Sequence, residues 1–211
     1  MIVTVIALLV VGYLCGCLAS GYLVGKTQGI DIRDYGSGNA GTTNALRVMG
    51  RKAGVIVFIG DMGKMILALL VTGLLFKRLG ESHTLLIRLW TALGVVLGHD
   101  YPFYMKFKGG KGVASTGGLM FFLDWRMTVY SFVSFFGLTL LTKLVSLASC
   151  VMLTGDLILF VILILTGRIN PGIMPIWEGI LLMSFMVVLS LIRHRENIAR
   201  LLKGEERPIT L

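Results

Sequence analysis

Seven apolar runs divide the chain, at roughly residues 2–24, 53–76, 85–98, 113–123, 127–142, 145–166 and 174–192. Such runs leave few ways to fold. A bilayer core holds no water to pair backbone N–H and C=O groups, so only helices or closed barrels cross it. The runs here are continuously apolar rather than alternating, and helices are therefore expected. A mean hydropathy of +0.85 and a hydrophobic content of 55% in 211 residues exclude an ordinary soluble domain. The expected fold is an all-α membrane protein: a polytopic helical bundle in one domain, 1–211, with about seven transmembrane helices. Five is the fallback, with 113–142 handled differently, because 113–123 is shorter than the ~20 residues a perpendicular span needs and can be re-entrant. The first 24 residues lack a basic leading segment and a small-residue cleavage site before polar sequence. They are read as a span, not as a removed signal peptide.

Charge fixes an expected orientation. With seven spans, the loops 25–52, 99–112, the one around Lys143 and 193–211 share one side and hold 14 lysines and arginines. The opposite loops hold 5, namely Lys77, Arg78, Arg88, Arg126 and Arg168. Basic loops stay cytoplasmic, which puts the N-terminus outside and the C-terminus inside. Trp90, Trp125 and Trp177 lie near run ends, as interface anchors do. The net charge of +9 follows from this topology and calls for no nucleic acid. Cys15, Cys17 and Cys150 sit in apolar runs with no CxxC spacing and no neighbouring His or Asp, so neither disulfide nor metal is indicated.

The polar, glycine-rich sequence gathers in three segments on the basic side. The first is YGSGNAGTTNALRVMGRKAG, Tyr35 to Gly54. Gly36, Gly38 and Gly41 suit a tight loop with uncovered backbone N–H groups. Ser37 or Asn39 is the expected N-cap of a short helix over 40–49, stopped by Gly50. Thr43, Asn44 and Arg47 share one side of that helix, and Arg47 can fork onto a phosphate or carboxylate.

The second segment is LGHDYPFYMKFKGGKGVAST, Leu97 to Thr116. It is not a nucleotide loop. A P-loop needs GxxxxGK[ST], yet Met105 stands where the first glycine belongs and Gly112 follows Lys111. What remains is that Gly109 and Gly110 permit a nest of N–H donors, Lys108 and Lys111 bring positive charge, and a helix start near Gly112 faces the same spot. His99 and Asp100 mark the water boundary.

The third segment is RHRENIARLLKGEERP, Arg193 to Pro208, read as a continuation of the last span that stops at Gly204. It puts His194 and Asn197 on one face. Within the second span Asp61 and Lys64 stand at i, i+3, which is costly in lipid unless they pair or face a polar interior. They are read as a structural intramembrane pair.

Taken together these segments resemble the bacterial integral-membrane acyl-phosphate:glycerol-3-phosphate acyltransferases. That family carries a GSGN-x-G-[AT]-TN-x-x-R segment, a D-x-x-K in the second span, a GH-x-[FY]P…FKGGKGVA segment and a C-terminal H-x-x-NI-x-R. This chain matches at Gly36 to Asn39 with Thr43, Asn44 and Arg47; at Asp61 and Lys64; from Gly98 to Ala114; and at His194, Asn197, Ile198 and Arg200. It departs mildly at Thr42, Met65, Tyr101 and Ser115. The resemblance implies transfer of a fatty acyl group from long-chain acyl phosphate to the sn-1 hydroxyl of glycerol 3-phosphate. The products are lysophosphatidic acid and phosphate, the first step of phospholipid biosynthesis. It implies no cofactor and no metal, membrane lipid as surroundings, and a multi-pass protein of the bacterial inner membrane with its active site on the cytoplasmic face.

On this reading the catalytic candidates are Ser37, Arg47, His99, Lys108, His194 and Asn197. Phosphate-binding candidates are Gly38, Asn39, Thr43, Asn44, Gly109, Gly110, Lys111 and Gly112. Acyl phosphate has a good leaving group, so positioning and electrostatic stabilisation suffice without a covalent intermediate. Three proton acceptors remain open: His194, His99 and a substrate phosphate oxygen. Ser37 ranks as an oxyanion or phosphate donor, since no histidine is close in sequence to activate it. A transporter of a phosphorylated metabolite is the main alternative, but it calls for inverted repeats and midplane cations that the chain does not show. The HxxxxD pair of acyl-CoA enzymes is absent: Arg88, Tyr104 and Ala199 stand five residues after the three histidines.

Overall fold

A computed structural model describes residues 1–209. Thr210 and Leu211, the end of the expected domain and of the loop 193–211, lie outside the described residues. The described chain is helical, in the order α1 (Ile2–Gly16), α2 (Ser20–Thr27), α3 (Thr42–Leu75), α4 (Thr84–Asp100), α5 (Val113–Leu123), α6 (Trp125–Thr142), α7 (Val145–Leu165), α8 (Ile176–Arg193) and α9 (Arg195–Leu202). Among the described residues, four stretches are long and apolar enough to cross a membrane: Ile2–Thr27, Thr42–Leu75, Val145–Leu165 and Ile176–Arg193. Leu165, Leu181, Phe185 and Val188 on α7 and α8 stay exposed, as lipid-facing residues of a bundle would.

The first run is not one helix, as its composition suggested. It breaks after Gly16 and resumes at Ser20. Backbone freed in an apolar interior must find partners. The Tyr104 hydroxyl donates to Cys17 O at 2.7 Å, and the Lys64 ammonium donates to Leu18 O at 3.0 Å. The break therefore presents carbonyls to charged and hydroxylic groups from elsewhere in the chain.

Helix α4 is the central element. Most of its residues are buried, and it lies against α1, α3, α5 and α8. Its crossing with α1 is built from glycines: Gly12 and Gly16 on one helix, Gly94 and Gly98 on the other, each pair spaced i, i+4. A Cβ at Gly16 would meet Val95 O at 2.2 Å; at Gly94, Leu9 O at 2.4 Å; at Gly98, Tyr13 O at 2.2 Å. Without a hydrophobic drive between helices in lipid, such close backbone approach is what holds them together. Larger side chains on α4, among them Leu89, Val95 and Val96, fill the remaining core with Met120, Phe160 and Met183.

Helix α3 contains the stop expected at Gly50, whose φ of 84° and ψ of 179° interrupt the helical backbone. The short N-terminal part of α3 thus folds toward the polar loops while the remainder runs into the bundle. Helix α5 has 11 residues, about 16 Å of rise, too short to cross a core of ~30 Å. The third polar segment does not continue α8 unbroken: the helix ends at Arg193, and α9 starts after His194. Gly204 does end α9, with φ of 70° and its N–H on Leu201 O.

Gly98→Ala is expected to lose roughly 1–3 kcal/mol of stability, because backbone rather than a flexible side chain stands in the way. Gly137→Ala on α6, with nothing within 4 Å, is expected to be neutral or stabilising. Thermal unfolding of both variants in detergent measures the contrast; equal effects would remove the close crossing as the cause.

Candidate active site

The three polar segments come together around one cavity, entered at the loop end and continued into the bundle. Its head is lined by Ser37, Asn39, Thr42, Thr43 and Arg47 from the first segment, His99, Lys111 and Gly112 from the second, and His194 and Asn197 from the third. Asp61 borders it from α3, and Glu206 from the tail. Deeper down, the wall is apolar, with Phe58 and Met62 of α3, Phe132, Phe135 and Phe136 of α6, and Met152 of α7. Phe136 is the hub of the aromatic part, edge-on to Phe58 and Phe135 at 5.9 and 5.2 Å.

Asn44 shapes the first segment from beneath. Buried, it accepts the Ser37 N–H on Oδ1 at 2.9 Å, and its Nδ2 donates toward the carbonyls of Ile32, Tyr35 and Asn39. Its amide is fully engaged. Expected as a phosphate contact, Asn44 borders the cavity and acts as a clamp under the loop. Gly36 has φ of 62°, and a Cβ there would meet Asn44 Oδ1 at 2.2 Å, so the loop needs glycine to close over the clamp. The N–H of Gly38 donates to Tyr35 O and is not free for an anion. The helix starts at Thr42, two residues later than the sequence suggested. Gly41 is the N-cap, and Asn39 Oδ1 accepts the Gly41 N–H instead of capping. Thr42, passed over in the sequence, has a buried hydroxyl with no partner among the described residues.

In the second segment, where a nest was expected, the backbone polar groups of Gly109 and Gly110 already have partners. Their N–H groups donate to Asp100 O and His99 O at 3.0 and 2.9 Å, and their carbonyls accept from the Arg193 guanidinium. A Cβ at Gly110 would lie 1.9 Å from His99 Nε2. These glycines let the loop pass flat across the histidine. The loop instead delivers Lys111, Gly112 and the start of α5. Gly112 takes φ of 75°, and Gly112, Val113 and Ala114 border the cavity, so the positive end of α5 faces it. Lys108 is exposed and lies outside the lining.

His99 is fixed by the buried pair. Lys64 Nζ stands 3.1 Å from Asp61 Oδ1 and 2.6 Å from His99 Nδ1. An ammonium has only donors, so Nδ1 of His99 accepts and Nε2 carries its proton. His99 is thereby a donor rather than a free base. His194 has the opposite arrangement. Its Nδ1 lies 2.8 Å from Ser190 O, and a carbonyl only accepts, so Nδ1 donates and Nε2 keeps its lone pair.

The third segment closes the site through Glu206, which the sequence reading missed. Asn197 Nδ2 donates to Glu206 Oε1 at 2.7 Å and Arg200 Nε to Oε2 at 2.8 Å, while the Ser146 hydroxyl reaches Oε1 at 3.0 Å. Lys111 Nζ donates to Asn197 Oδ1. Arg47 donates to Arg207 O at 2.8 Å, and Ile209 N to Lys143 O, so residues 206–209 strap the tail across the cavity. Glu206 carries no motif; it reads as one more acid in a charged tail.

The profile of the family described as "Glycerol-3-phosphate acyltransferase" matches residues 6–204. The chain belongs to this family. Glycerol-3-phosphate acyltransferase 2 of Thermotoga maritima is 38% identical over 203 residues, covering 96% of this chain and 95% of that protein. The glycerol-3-phosphate acyltransferase of Bacillus subtilis is 39% identical over 200 residues, covering 94% of each. Among solved structures, the crystal structure of PlsY (YgiH), an integral membrane glycerol 3-phosphate acyltransferase, in its glycerol 3-phosphate form has a TM-score of 0.82. It is 33% identical, covering 98% of this chain and 96% of that one. The lysophosphatidic acid form gives 0.79 at 32% identity, covering 98% and 95%. The chain is accordingly an integral membrane protein.

Burial sets the electrostatics of this acyltransferase-family site. Burial lowers Lys111 to about 8, with Glu206 opposing and Arg200 and Arg193 assisting. Burial, reinforced by Lys111, lowers His194 to about 4, so its imidazole is neutral at physiological pH. The unfolded chain takes up that proton near 6.5 and the folded one only near 4. Stability is therefore expected to be full above pH ~6.5 and to fall as pH drops toward ~4, by about 3 kcal/mol from this group. Unfolding of the wild type and of His194→Gln across that range checks it: the variant should lose part of the acid sensitivity.

Proposed function

We propose that this chain transfers a fatty acyl group from acyl phosphate to the sn-1 hydroxyl of glycerol 3-phosphate, giving 1-acyl-glycerol 3-phosphate and phosphate. One observation carries the reading: a single cavity joins a cationic head at two helix starts to an aromatic, apolar groove. Both substrates carry phosphate, one is water-soluble, and the other has a lipid tail. Family membership and the two PlsY forms, with glycerol 3-phosphate and with lysophosphatidic acid, support the acceptor and the product.

In this scheme Lys111, Arg47 and the first N–H groups of α3 and α5 hold the phosphates. Asn197 aims the Lys111 ammonium. His194 Nε2 removes the proton of the sn-1 hydroxyl, and the oxygen attacks the acyl carbonyl carbon. The carbon–oxygen bond to the donor phosphate then breaks, and phosphate leaves with that electron pair. Ser37 and Thr42, with hydroxyls at the head, are placed to donate to the carbonyl oxyanion or to phosphate. His99 holds the floor in position, and Lys108 acts at the rim as a steering charge. Each lost donor to the oxyanion or leaving group costs roughly 3–4 kcal/mol of barrier.

The same reading covers topology. Counting α1 with α2 as one and then α3 to α8, the chain has seven membrane segments in a single domain, 1–211. The basic asymmetry supports a bacterial inner-membrane protein with its C-terminus and active site on the cytoplasmic face.

Purified protein in detergent is expected to form lysophosphatidic acid from acyl phosphate, and none from acyl-CoA or acyl carrier protein thioester. Product from a thioester but not from acyl phosphate would overturn the donor. His194→Ala is expected to fold and to lose about a hundredfold or more in kcat. Lys111→Ala should cost far more than Lys108→Ala. Because Lys111 loses its charge above about 8, KM for glycerol 3-phosphate is expected to rise with pH through that value, and Lys111→Arg should move the rise upward. A pH profile unchanged by Lys111→Arg would remove Lys111 from the anion site.

A further inference from the structure

We infer that the buried Ser131–Asp156 pair closes the deep end of the groove and sets the longest acyl chain the protein accepts. The inference rests on the acyl-transfer reading above. On α7 the cavity wall follows one helical stripe, Val145, Ser146, Ser149 and Met152, and Asp156 is the next position of that stripe. On α6 the lining runs from Phe136 and Phe135 through Phe132 to Ser131, where it ends. The two stripes are joined there. The Ser131 hydroxyl lies 2.7 Å from Asp156 Oδ1 and 2.9 Å from Oδ2, and no other side chain is hydrogen-bonded to Asp156 among the described residues. Asp156 is 0% exposed and Ser131 1%.

Depth gives the pair its meaning. Ser146, bonded to Glu206 at the polar head, precedes Asp156 by ten positions of one helix, which is ~15 Å of rise. One leaflet of a bilayer, half its ~30 Å core, has the same thickness. An acyl chain with its carbonyl at the head would thus bring its methyl end to the pair. Above that level, each methylene lodged against Phe132, Phe135 or Met152 strengthens binding about fourfold. At the pair this gain stops. A further methylene would have to displace the hydroxyl from the carboxyl or lie against a polar group with no water to replace it.

A carboxyl deep in a membrane bundle can also serve only as polar glue between helices. The two roles differ in what they move. Glue alters stability and leaves donor preference alone; a floor alters the preference.

The test is kcat/KM over a series of saturated acyl phosphates lengthened two carbons at a time, with unfolding in detergent recorded for each variant. Asp156→Ala removes the floor and is expected to extend the longest accepted chain, raising its rate relative to the next shorter donor about tenfold. Ser131→Leu fills the end and should shift the preference the other way by a similar factor. Should Asp156→Ala fail to fold, Ser131→Leu and Ser131→Gly, which keep the carboxyl, decide the matter. Folded variants that retain the wild-type chain-length profile would overturn the inference. If the wild type makes no lysophosphatidic acid from any acyl phosphate, the acyl-transfer reading itself falls.

Discussion

Lys64 brings its ammonium into the protein interior and ties three elements together: it hydrogen-bonds Leu18 O at the break between α1 and α2 and His99 Nδ1 at the end of α4, and it forms an ion pair with Asp61 one turn back on α3. Lys64 is 3% exposed, where an unmatched charge is prohibitively costly. A buried ion pair adds little net stability against an apolar alternative, yet removing one member leaves the other stranded at a cost of roughly 3–5 kcal/mol. The cluster therefore specifies an arrangement more than it stabilises one. Only when the first run is broken, α3 is in register and α4 lies against both can the two hydrogen bonds and the ion pair form together.

From this point the site is assembled by a sequence of contacts. With Nδ1 held by Lys64, the His99 ring stands in one plane, and only glycine at 110 can pass across it. The chain from Asp100 to Gly110 returns on itself through the Gly109 and Gly110 N–H groups, and Arg193 of α8 pins the two carbonyls. That fixes where Lys111 leaves the loop and where α5 begins. Ser190 completes the link, with its hydroxyl on Lys111 O and its carbonyl on His194 Nδ1. A neutral imidazole and a cation of reduced pKa are thus held by one residue of α8, and Glu206 anchors the cation from the other side through Asn197.

The helical class, the stop at Gly50, the stop at Gly204 and the meeting of three polar segments were legible in the sequence, because each depends on local composition or on backbone preference. What was not legible depends on partners distant in the chain. Gly109 and Gly110 read as an anion nest by their type; that their N–H groups are used depends on His99 and Asp100 lying alongside. Asn44 sits on the face of its helix where a ligand contact was expected, yet three carbonyls and one N–H from the preceding loop take its amide. Glu206 has no local signature at all, since its role exists only once the tail crosses to Asn197, Arg200 and Ser146. The spaced glycines of α1 and α4 were visible as pairs four residues apart, a signal that the apolar character of both runs concealed.

The position of the site follows from what each half of it requires. The first N–H groups of α3 and α5 have no partner within their own helices, a consequence of helix geometry alone. They must meet an anion or water, and so cannot lie in hydrocarbon. An acyl chain gains from burial only where water is absent, along the Phe132–Phe136 stripe. A reaction that joins a phosphate-bearing alcohol to an acyl carbonyl has to occur where these two requirements touch. The broken helices around residues 17–19, 50 and 194 are how a bundle of otherwise continuous helices opens polar backbone and side chains at that depth without exposing them to lipid.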